Sequence, residues 1–72
     1  MELLELLQQI QAQKHMNDSH FAAFLGIDSG NWSRFKSGKR AFGKSYLKKI
    51  KVAIPSAELY IADYAARRML GQ

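Results

Sequence analysis

The chain has 72 residues, 47% of them hydrophobic and 24% charged, a globular composition of a length that holds one domain, residues 1–72, and not two. It contains no cysteine, which excludes a disulfide framework, a thiolate zinc site and a cysteine nucleophile together. Its net charge is +5, and eight of the eleven Lys and Arg residues fall between Arg34 and Lys51. No acid stands between Asp28 and Glu58, so the charge is concentrated as a partner of opposite sign requires, beyond what a solvated helix face explains. No apolar run reaches the roughly 20 residues of a membrane span. The start, MELLELLQQI, is acidic and amphipathic where a signal peptide opens with positive charge. A cytoplasmic protein is the simplest expectation.

Five helices are expected in chain order, with no strand alternation, repeat or low-complexity segment. Helix 1 covers Glu2 to Lys14, with Leu3, Leu6, Leu7 and Ile10 as a buried stripe at i, i+3, i+4, i+7 spacing. Gln8, Gln9, Gln11 and Gln13 are expected to face mostly water. Helix 2 runs from Asp18 to Leu25, capped by Asn17 and stopped by Gly26. Helix 3 runs from Ser29 to Ser37, with Asp28 as its cap and Gly38 as its stop. Helix 4, Lys44 to Ala53, buries Leu47, Ile50 and Ile54, and Pro55 breaks it because proline lacks the N–H that continuing needs. Ser56 caps helix 5, which ends near Leu70. All five share one core, an all-α fold.

Residues 17–38 form the informative unit, two short helices joined by a tight turn. Phe21, Ala22 and Leu25 on the first, Ile27 in the turn, and Trp32 and Phe35 on the second fall where such a pair must pack. This is the spacing of a helix-turn-helix. With Trp32 and Phe35 turned inward, the outward set on helix 3 is Ser29, Gly30, Asn31, Ser33, Arg34 and Lys36. Arg34 is the prime base reader, since its fork can meet both acceptors of a guanine, worth ~1–3 kcal/mol of discrimination. Asn31 can read adenine or touch a phosphate, and Gly30 allows close approach. Asn17, at a helix N-terminus where free N–H groups favour an anion, joins Lys36, Lys39, Arg40 and Lys44 as candidate phosphate-binding residues.

Through Phe21-Ala22, Leu25-Gly26-Ile27, Ser33-Arg34-Phe35, Gly38-Lys39-Arg40 and the helix-4 pattern SYLKKIKVAI, the chain resembles the Cro and phage-repressor (lambda-repressor-like) helix-turn-helix regulators. The likeness covers about half the chain, gapless across the motif. It implies base contacts at Ser29, Gly30, Ser33 and Arg34, and a dimer formed through the C-terminal region on a pseudo-palindromic operator in double-stranded DNA. Three positions depart from the pattern. Asp18 replaces a phosphate-bonding glutamine, Trp32 replaces an aliphatic residue, with Ala22 and Ala23 making room, and Lys36 stands where an acid is common. Phe24, at a usually exposed site, is expected to be partly buried.

Helix 5, residues 56–70, is apolar over more than one face: Leu59, Ala62, Ala66 and Leu70 give one stripe, and Tyr60, Ile61 and Tyr64 widen it. A small monomer exposing that surface would carry an uncovered patch, so Leu59, Tyr60, Tyr64 and Met69 are expected at a homodimer interface. His15 and His20 share no helix face and no carboxylate pair completes a metal set, so neither a metal nor a cofactor is expected. No nucleophile–base arrangement or phosphate-binding glycine loop appears, so neither an enzyme nor a small-molecule substrate is expected. The expected activity is transcriptional repression. The alternatives are an antitoxin whose helix 5 grips a protein partner, and a non-specific nucleic-acid packaging protein.

Overall fold

A computed structural model of the chain describes residues 2–70, with side chains through residue 68. Five α-helices follow one another: α1 (Leu3–Gln13), α2 (Asp18–Leu25), α3 (Ser29–Lys36), α4 (Lys44–Ala53) and α5 (Glu58–Leu70). No strand occurs among the described residues, and the all-α expectation holds. None of these helices is long and apolar enough to cross a membrane.

Three helix ends use one device. At each, a residue with positive φ turns the chain so that two orphan carbonyls of the last turn regain donors. After α2 the turning residue is Gly26 (φ 80°). Its N–H reaches the Ala23 carbonyl at 3.1 Å, and the Ile27 N–H reaches Ala22 at 2.9 Å. Gly38 (φ 78°) closes α3 in the same way, onto Phe35 and Arg34. After α1 the position is taken by His15 (φ 55°), which carries the steric penalty that a Cβ brings there. The helix starts are equally local. Asn17 Oδ1 accepts from the His20 N–H at 2.8 Å, and Asp28 Oδ2 accepts from the Gly30 N–H at 2.9 Å.

The expected start of the last helix is corrected. Ser56 makes no capping bond; a 3-10 turn at Pro55–Ala57 intervenes and α5 opens at Glu58. The residue before a proline is driven out of the helical region, and Ile54 accordingly sits at φ −134°, ψ 82°. The Ala57 N–H then restarts the ladder on the Ile54 carbonyl at 2.9 Å.

One core collects Leu3 and Leu7 from α1, Phe21, Ala22 and Leu25 from α2, Trp32 and Phe35 from α3, and Phe42, Ile50, Ile54 and Ala57. Leu6, Ile10, Ile27 and Leu47 lie half-buried against it. Trp32 is fully buried, its ring 5.1 Å from that of Phe21. Ala22 is buried beside it, whereas Ala23 faces solvent and makes no room for the indole. Phe24 is half-buried, as expected, under the ammonium of Lys14 at 4.9 Å.

Gln11 also departs from expectation. It is half-buried, because the buried indole N–H of Trp32 needs an acceptor and Gln11 Oε1 supplies it at 3.1 Å. The same amide donates to Asp18 at 2.8 Å and to the Met16 carbonyl at 3.2 Å.

On α5 the two apolar rows separate cleanly. Tyr60, Ile61, Tyr64 and Ala65 turn toward the core, with Ala57 before them, at the spacing of one helix face. Leu59, Ala62 and Ala66 face solvent, and Leu59 is 81% exposed.

Candidate functional site

The turn from Gly26 to Asp28 sets α3 across α2, and burial of Trp32 and Phe35 fixes which way α3 is rotated. Their opposite face is therefore the outer surface. Of the six residues expected to face outward, Ser29, Ser33 and Arg34 are exposed there, Gly30 and Asn31 sit half-buried at the edge, and Lys36 is turned toward α2.

Gly30 serves the fold as much as the surface. A Cβ at this position would lie 2.9 Å from Asp28 Oδ2 and 3.7 Å from Arg34 Nη1. Its bare Cα leaves room for the capping carboxylate and for the guanidinium together. Asn31 is engaged on both polar atoms: Nδ2 donates to the Tyr46 hydroxyl at 3.1 Å, and Oδ1 accepts from Arg34 Nη1 at 3.2 Å.

The basic residues around this face differ in what they touch. Lys36 is half-buried, and its Nζ donates to both Asp18 carboxylate oxygens at 2.7 and 2.8 Å. Its charge is matched within the chain. Hydrogen bonds from Gln11 and then Lys36 hold the Asp18 carboxyl below its ordinary range. Lys51 pairs with Glu58, and Arg67 with Asp63 and Glu2. Among the described residues, Arg34, Lys39, Arg40, Lys44, Lys48 and Lys49 form no ion pair. Arg34, Lys39, Arg40 and Lys44 run from α3 through the link to the first residue of α4, all exposed. Asn17 is exposed at the start of α2, its side-chain oxygen occupied by the cap.

The link itself is anchored by Phe42. Its buried ring packs 4.3 Å from Phe35 and 5.4 Å from Tyr64, and its N–H donates to the Tyr64 hydroxyl at 2.8 Å. Tyr64, expected at a subunit interface, is half-buried in this structural role, and Tyr60 is half-buried against the same core. Leu59 stands free on the surface, and the side chain of Met69 lies outside the described residues. His15 and His20 are both exposed.

Three residues that shape the site escaped the sequence reading: Gln11, Phe42 and Tyr46. An aromatic between two glycines in a basic link was the available signal for Phe42. Tyr46, two residues into α4, had none. No protein-family model, curated protein or solved structure matches the chain.

Proposed function

We propose that the chain is a sequence-specific binder of double-stranded DNA, a lambda-repressor-like helix-turn-helix regulator and not an enzyme. One observation carries the reading. The exposed edge of α3 presents Ser29, Ser33 and Arg34, while its opposite edge is locked into the core by Trp32 and Phe35. A helix so presented fits a major groove roughly 12 Å wide, with the edge that carries Ser29, Ser33 and Arg34 toward the bases. Lys39, Arg40 and Lys44, unpaired beside it, supply phosphate contacts that fix register without reading sequence. Lys36 contributes less to this set, since Asp18 already holds its charge.

The reading continues to repression by promoter occupancy as a homodimer, with the exposed row Leu59, Ala62 and Ala66 of α5 as the contact. A dimer neutralising roughly 6–8 phosphates gives a log K against log salt slope of about −5 to −7. The same row favours a second reading, an antitoxin whose α5 grips a protein and whose DNA binding is autoregulatory. Purification alone separates the two: a stable dimer supports the first, and an aggregating chain rescued by a partner supports the second.

Paired variants test the DNA reading. Arg34→Ala relaxes specificity at one base pair per half-site. Lys39→Ala weakens every duplex and flattens the salt slope by about one per subunit. Equal, sequence-independent losses in both would reduce α3 to a phosphate clamp.

A further inference from the structure

The reading edge of α3 is supported from outside its own helix. Asn31 and the Tyr46 hydroxyl meet across fifteen residues of sequence, and Asn31 in turn accepts from Arg34. The Tyr46 ring is held edge-on by buried Phe35, with centroids 5.1 Å apart at 78°. On the same ring lies Arg40, its guanidinium carbon 5.3 Å from the centroid. One side chain of α4 is thus linked to two arginines: to Arg40 directly through its ring, and to Arg34 at one remove, through its hydroxyl and Asn31.

The chemistry of each group fixes the direction of dependence. A guanidinium only donates, so Arg34 requires the amide oxygen of Asn31 and turns the amide nitrogen toward Tyr46. The tyrosine hydroxyl accepts that N–H and so locks the amide in place. Arginine has several rotatable bonds, and holding one of its nitrogens removes rotamer freedom before a ligand arrives. The Nη1 nitrogen is engaged while Nε and Nη2 keep their donors for an outside acceptor pair.

We propose that Tyr46 is a positioning residue that sets how strictly the chain discriminates the base pair facing Arg34, an inference that rests on the DNA-binding reading above. Asn31 then acts as the buttress of Arg34, with no base preference of its own. The hydroxyl governs discrimination, and the ring governs the phosphate-side grip of Arg40.

Two substitutions separate these effects. Tyr46→Phe removes one oxygen and keeps the ring on Phe35. It is expected to lower discrimination at the pair facing Arg34 by about threefold to tenfold, with the other positions and the salt slope unchanged. Added to Asn31→Ala it brings no further loss, since the hydroxyl reaches Arg34 only through Asn31. Tyr46→Leu also removes the ring, so every duplex weakens and the slope flattens by about one per subunit.

The measurement is a titration of the wild type and each variant against the selected duplex and its single-base variants at several salt concentrations. Alongside it, the heteronuclear NOE of the Arg34 Nε–H group is recorded in the free protein. Wild-type order that is lost in Tyr46→Phe supports the proposal. If Tyr46→Phe leaves discrimination intact, or weakens all base pairs evenly, Tyr46 has no positioning role. If the wild type binds no duplex, the DNA reading falls and the specificity role with it, and the NOE still shows whether Tyr46 orders Arg34.

Discussion

Trp32 Nε1 and Gln11 Oε1 meet at 3.1 Å, and that bond joins the first helix to the buried side of α3. Removing the acceptor strands a donor in a site where water does not reach the indole. Gln11→Ala is therefore expected to lower stability by about 1–3 kcal/mol. Each kcal/mol lowers Tm by about 4–8 °C in a domain of this size. Urea or thermal unfolding followed by Trp32 fluorescence measures it. An unchanged midpoint would mean that the indole N–H finds another acceptor.

Asp18 gives the fold a pH dependence of known sign. Gln11 first, and Lys36 second, favour its ionised form and hold its pKa below the ordinary value. A carboxyl lowered on folding adds stability above its unfolded pKa, and that contribution is lost as pH falls through the folded value. The stability gap between wild type and Asp18→Asn is expected to be widest near neutrality and to close as pH drops below about 4. A gap of constant size across that range would assign the effect to packing instead of charge.

Leu59 tests the outer row of α5. At 81% exposure, beside Ala62 and Ala66, it is an apolar side chain with water as its neighbour in the single chain. Leu59→Glu is expected to convert a self-associating protein to a monomer in sedimentation equilibrium, with helical circular dichroism unchanged. A wild type that stays monomeric at its highest soluble concentration would remove the homodimer from the account.

Local signals carried much of the fold. Asn17 and Asp28 as caps and Gly26 and Gly38 as stops act through neighbours within a few residues, and the inward turn of Trp32 and Phe35 is written in their spacing on α3. Periodicity alone could not rank the two apolar rows of α5. Which row turns inward depends on where α1 and α4 lie, and the solvent-facing row is the one with Leu59. Polar contacts across long separations were hidden for the same reason. Gln11 reads as one more glutamine on a wet face until the Trp32 indole is placed above it. Tyr46 looks like a helix aromatic until Asn31 and Arg40 converge on it. Lys36 shows the converse error: the sequence counts it with the free basic surface, while the packing of α2 on α3 delivers it to Asp18.

Selection of bound duplexes from a randomised pool, followed by titration of the winners and of scrambled duplexes, tests the proposed role of α3 most directly. The expected result is a pseudo-palindromic consensus with a guanine in each half-site that is lost from the consensus of Arg34→Ala. The selected duplex should bind at least ~10³-fold more tightly than scrambled DNA. A pool that shows no enrichment, with equal affinity for every duplex or none even at low salt, would contradict it.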